Sequence, residues 1–368
     1  MTIGMRRLGA CVRGARGRVA AMAVGAGALA LAASNVACGG PPEPQVAEPA
    51  RPPTLPPSLA RGAGAPGAPA TGGPSPDVAR GKAALEKGDE PGARAAFEAA
   101  LARDANDADA HAYLGALVEK GDKAAAEKHY RAALATVPGH EVGSVNLSAL
   151  LLDAAKVDEA ATLAQAGLEK HPKSAALAEN LGVALATKGD EAGATRAMEL
   201  ALKLAPADPL AALTLGQWLG KWRKADAARE RLLQAEKLAN GDVGVLASVG
   251  FELKNVGAFA DCIRVLDGAL AKQDAAELRT YRALCKLGAR DKAGALSDLE
   301  AAIAKEPKYA PAYFYLGGRH ADAGRWKDVV AAYETYLRLE PAGPMKKAAE
   351  ERIKLAKEKL KAGGGPKK

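Results

Sequence analysis

The side chains able to do chemistry in this chain are few and scattered. Four cysteines occur, at Cys11, Cys38, Cys262 and Cys285, and five histidines, at His111, His129, His140, His171 and His320. No pair of histidines stands in a zinc-protease spacing, and no cysteines stand in a metal-finger spacing. No serine, threonine or cysteine is coupled in sequence to a recognisable base and orienting acid. Glycine-rich stretches such as 62–73 follow no strand-like segment and lack the lysine of a phosphate loop. The chain therefore reads as a non-enzyme with no cofactor, no metal and no small-molecule substrate. Trp218 and Trp222 are four apart, the spacing of helix packing.

Cys38 is different, because of what precedes it. Arg6, Arg7, Arg13, Arg16 and Arg18 form a basic start with no acidic residue before Glu43. Residues 19–33 are uninterruptedly apolar or small. That run is short for a membrane span and suits the apolar core of a signal peptide. It leads into Asn35-Val36-Ala37-Cys38-Gly39-Gly40, which resembles a bacterial lipobox, although Asn35 stands where leucine is usual. The resemblance implies cleavage before Cys38 and acylation of its thiol, and several acyl chains would anchor the protein firmly at a membrane. The alternative is ordinary cleavage after Ala37 and a soluble secreted chain. The Gly39-Gly40 pair lacks the aspartate associated with inner-membrane retention, which implies the outer membrane.

Twelve of the 22 prolines lie between Pro41 and Pro76. This composition cannot bury a core, so 38–76 is expected to be an extended tether. Without the five N-terminal arginines the net charge falls from +8 to about +3, and residues 344–368 alone carry nine basic and three acidic groups. The remainder is mildly acidic, with no broad basic face for nucleic acid.

Between 77 and 343 the chain repeats itself about every 34 residues. Small residues recur at Ala93, Ala126, Ala160, Ala194, Ala228, Cys262, Ala295 and Val329. A second small row precedes it by about twelve positions: Gly81, Gly115, Ser148, Gly182, Gly216, Gly250, Ala283 and Gly317. Prolines 138, 172, 206, 307 and 341 close units, and Gly-Asp at 88–89, 121–122 and 189–190 marks internal turns. A period of this length is the mark of a solenoid. The pattern resembles the tetratricopeptide repeat, most closely in Leu181-Gly182…Ala194…Met198…Ala201…Pro206 and Tyr313…Leu316-Gly317…Val329…Tyr333…Pro341.

The resemblance implies an all-α, right-handed superhelical solenoid of about eight helix-turn-helix repeats. The seventh unit reads as having a shortened first helix and an irregular turn. Residues 345–361 read as an amphipathic helix with Ala349, Ile353, Ala356 and Leu360 on one face, capping the open end and carrying the basic charge. Cys262 and Cys285 fall in adjoining units. Two small buried thiols are the expectation at such positions, with a disulfide open to an exported chain.

In the family the concave face is lined by first-helix positions two, five, nine and twelve. Carried onto this sequence, that places Val145, Ala149, Glu179, Val183, Leu213, Gln217, Phe251 and Phe314 in a groove for protein partners. The fifth and ninth positions hold no lysine or asparagine, so the family's carboxylate clamp is absent, and Asn146 and Asn180 read as structural. A mostly apolar groove suits an apolar peptide or amphipathic helix. The whole resembles bacterial envelope lipoproteins of this repeat class that help assemble pilus, outer-membrane insertion or gliding-motility complexes, which implies a protein-binding scaffold facing the periplasm.

Overall fold

The computed structural model describes residues 75–363; the proposed signal segment, Cys38 and most of the tether lie outside them. Among the described residues there are 17 helices and no strand. The first helices of the eight units are α1 (Pro76–Lys87), α3 (Ala108–Val118), α5 (Glu141–Asp153), α7 (Ala175–Thr187), α9 (Pro209–Lys221), α11 (Val243–Asn255), α13 (Ala276–Gly288) and α15 (Ala310–Asp322). The second helices are α2 (Glu90–Arg103), α4 (Lys123–Thr136), α6 (Val157–Lys170), α8 (Glu191–Leu204), α10 (Ala225–Leu238), α12 (Phe259–Lys272), α14 (Lys292–Lys305) and α16 (Trp326–Leu339). Helix α17 (Lys346–Lys361) follows. None of these helices is long and apolar enough to cross a membrane.

The internal turns explain the Gly-Asp pairs. Gly88 and Gly189 adopt left-handed backbone, with φ of 78° and 85°, which glycine enters without steric cost. The aspartate that follows caps the second helix. Asp89 accepts from the Gly92 N–H and Asp190 from the Gly193 N–H, both at 2.9 Å. Asp122 caps α4 in the same way, accepting from the Ala125 N–H.

The small row on the first helices is a set of slots, and the second helices supply what fills them. A Cβ built on Gly81, Gly115, Gly216 or Gly250 would stand within 2.9 Å of Phe97, Tyr130, Leu232 or Leu266 respectively. Gly317 has the same relation to Tyr333. In the third unit Ser148 replaces the glycine, and the matching second-helix position, sixteen residues on, is the small Ala164. The slot and its filler change size together, as close packing requires.

The seventh unit is regular, contrary to the sequence expectation. Helix α13 has 13 residues, the same as α5, α7, α9, α11 and α15. The pattern is broken by chemistry instead of by geometry. Arg282 occupies the position held by leucine in most units and reaches Asp298 on α14 with two hydrogen bonds, Nε to Oδ2 at 2.8 Å and Nη2 to Oδ1 at 2.5 Å. Lys286 lies 2.9 Å from the same carboxylate. Burial alone would raise the Asp298 carboxyl, but the two cations hold it below its ordinary range. A buried ion pair thus stands where hydrophobic periodicity looks for leucine.

Cys262 on α12 and Cys285 on α13 form a disulfide, with Cα atoms 6.1 Å apart. The expectation of two separate thiols is corrected: the second helix of one unit lies against the first helix of the next, close enough for the bridge. Helix α17 packs on α16 as a cap, burying Ala349, Ile353 and Ala356. Its Arg352 donates to the Tyr333 hydroxyl at 2.7 Å and lies over the Phe314 ring, 5.2 Å from its centroid. Leu355 remains 50% exposed.

Candidate partner-binding groove

The eight residues assigned to the groove divide into two groups. Glu179 and Val183 on α7 are half-buried. Val145, Ala149, Leu213, Gln217, Phe251 and Phe314 are buried, Leu213 to 1% exposure and Phe251 to 5%. The cause is contact between first helices of successive units, which α9, α11 and α13 make in series. Phe251 meets the Tyr281 ring at 5.5 Å, and Val145 packs with Ala176 and Leu177 of the following unit. These six side chains are walls of the solenoid with little surface to offer a ligand. Leu213→Ala with Phe251→Ala should therefore lower stability, since each such truncation of a buried side chain costs about 2–5 kcal/mol. Circular dichroism through a urea titration measures it, and an unchanged midpoint would contradict the observed burial.

Asn180 is structural, as expected from its position. Its amide donates to the Val145 carbonyl at 2.9 Å and to Ser148 Oγ at 2.8 Å, tying two first helices together. Asn146 is buried as well. Glu179 accepts from the Thr214 hydroxyl at 3.1 Å, so part of its charge is already engaged. Half-exposed apolar residues at family groove positions include Leu152, Val183, Leu210 and Ala247 on four successive first helices, alongside the half-exposed charged residues Asp109, Glu179 and Lys254.

Two features were not assigned from the sequence. The first lies toward the ends of α9 and α11. Trp218 and Trp222 stand 5.9 Å apart, Lys221 lies 4.0 Å from the Trp218 centroid, and Lys254 lies 4.4 Å from that of Phe251. Burial lifts the Glu252 carboxyl above its ordinary range and lowers the Lys221 and Lys254 ammonium groups. The Trp-x3-Trp spacing with a lysine inside it was the available signal. That spacing is also the ordinary spacing of helix packing, so by itself it does not mark a surface feature.

The second is a cavity of about 520 Å³ at the turns joining units two to four. Tyr113, Val142 and the 45%-exposed Val137 give it apolar walls, and Asp109, His140, Lys170 and His171 give it charge. Lys82 donates to Asp109 at 3.1 Å, and His140 Nε2 lies 3.2 Å from the other oxygen of that carboxylate. The His140 hydrogen bond outweighs burial and, with Lys82, holds the Asp109 carboxyl below its ordinary range. His140 also caps α5, accepting from the Gly143 N–H at 3.2 Å. Nothing in this arrangement pairs a nucleophile with a base.

Paired antiparallel helices, slotted together and stacked in eight units, define a helical-repeat solenoid. The tetratricopeptide-repeat family profile matches residues 78–141 and 146–209. Residues 78–209 thus carry tetratricopeptide repeats, and the remaining helix pairs continue the same solenoid. Among solved structures, the yeast Tom70 crystal structure aligns with a TM-score of 0.52 at 15% identity, covering 77% of this chain and 64% of that one. The Cut9 and Hcn1 hetero-tetramer of the APC/C aligns with a TM-score of 0.50 at 17% identity, covering 75% and 55%. This chain thus spans less than two thirds of either, and the likeness is one of fold. No curated protein matches the sequence.

Proposed function

We propose that this protein is a lipid-anchored scaffold of the bacterial cell envelope, held in the outer membrane through Cys38 and facing the periplasm. In this reading the solenoid binds protein partners and helps assemble or stabilise a multiprotein machine of the pilus, gliding-motility or outer-membrane assembly type. The observation that carries it is the cysteine placed directly after a basic and then apolar N-terminal stretch, ahead of a proline-rich tract and a repeat array. The Cys262–Cys285 bridge suits an oxidising compartment outside the cytosol. The half-exposed series Leu152, Val183, Leu210 and Ala247 suits an apolar peptide or amphipathic helix. Asn35 in place of leucine favours a second reading, a soluble periplasmic adaptor cleaved after Ala37.

Metabolic labelling with a clickable fatty acid separates the two. The wild-type chain should take up label and sediment with membranes, and Cys38→Ser should do neither. An unlabelled wild type would establish the soluble reading. For the groove, Val183→Asp with Leu210→Asp should abolish capture of partners from solubilised envelopes and leave the helical circular-dichroism signal in place. Full capture by that folded variant would move the binding surface elsewhere, first to the Trp218–Lys254 region.

A further inference from the structure

Within the second unit two histidines face each other across the helix pair. His111 is on α3 and His129 on α4, with their Nδ1 atoms 3.0 Å apart. The other nitrogen of His111, Nε2, lies 3.0 Å from the Ala105 carbonyl. A carbonyl only accepts, so Nε2 carries the hydrogen and the His111 Nδ1 lone pair is free. His129 must then donate its own Nδ1–H to that lone pair. An imidazole fixed in one tautomer by N–H donation to a backbone carbonyl is the usual state of a metal-ligating histidine.

The spacing matches a chelate. Two imidazole nitrogens bound to one cation at about 2.0–2.1 Å, with angles between right and tetrahedral, lie roughly 2.9–3.4 Å apart. We propose that His111 and His129 form a two-histidine site for a first-row divalent cation, with Cu²⁺ held more tightly than Zn²⁺. Imidazole ligands favour these ions, and divalent affinity peaks at copper. On binding, the His129 proton passes through solvent from Nδ1 to Nε2, both rings turn their Nδ1 lone pairs onto the cation, and no net proton is released. No cluster of three metal-ligating side chains occurs among the described residues. The remaining coordination positions therefore belong to water or to a donor from a bound partner, which gives the scaffold a point of attachment its apolar groove does not supply.

The test is titration of the detergent-solubilised full chain with CuCl₂ and with ZnCl₂, followed by calorimetry and, for copper, by electron paramagnetic resonance. One Cu²⁺ per chain is expected, with hyperfine structure from two imidazole nitrogens and a weaker Zn²⁺ isotherm. His111→Gln and His129→Gln should each weaken binding by at least about tenfold, whereas His320→Gln should not. Equal binding by all variants, or a loss smaller than that, overturns the proposal. The wild-type spectrum decides it independently of how the variants fold: absence of bound copper, or a signal without two nitrogen ligands, also overturns it.

Discussion

Gly182→Leu should unfold the central units well before the rest of the solenoid. A Cβ at Gly182 would stand 2.6 Å from Met198 Cγ, 3.2 Å from the Met198 nitrogen and 3.3 Å from the Ala194 carbonyl oxygen. The first contact could be relieved by moving a flexible side chain. The other two are backbone atoms of α8, which can retreat only if the helix pair opens. Overpacking a core typically costs about 1–3 kcal/mol, and a clash with backbone belongs at or above the top of that range. In a solenoid each unit is supported by its neighbours, so the loss concentrates in units three to five and broadens the transition. Gly268→Leu is the control: Gly268 lies in α12 with nothing within 4 Å of its built Cβ, and it should melt like the wild type. Coincident urea midpoints for Gly182→Leu and the wild type would show that the slot is not a close contact.

The second large effect concerns the disulfide. Its cysteines are 23 residues apart in sequence, and closing a loop of that size in the unfolded chain stabilises the fold by about 3 kcal/mol on the chain-entropy estimate. Reductant should lower the wild-type melting temperature. Cys262→Ala with Cys285→Ala should melt at the lowered temperature with or without reductant, because both positions are fully buried and alanine fits them. A wild-type melt indifferent to reductant would mean that the bridge does not form.

Where the sequence was legible, spacing and stereochemistry act locally. The glycine row, the bulky row sixteen residues later and the closing prolines specify helix pairs because each constrains a contact or an ending on its own. Asp89, Asp122 and Asp190 mark helix starts because their caps are made within three residues. The seventh unit was misread because Arg282 is polar in sequence but neutralised in space by Asp298, sixteen residues away on the partner helix. The disulfide was open because it depends on a distance between units that sequence does not carry. The burial of six of the eight groove residues has a related cause. Positions five and nine lie on the groove side of a first helix, but the adjoining first helices decide how much of Leu213 or Phe251 is left uncovered.

The disulfide also changes how the array would respond to being pulled. A chain fixed at its N-terminal end and loaded further along gives way unit by unit, each releasing its full length of polypeptide. The segment between Cys262 and Cys285 is withheld from that release, shortening the fully extended chain by roughly 80 Å at about 3.5 Å per residue. Stretched between a membrane and a moving machine, the oxidised protein would reach its taut length sooner than the reduced one, and single-molecule extension traces would display the difference directly.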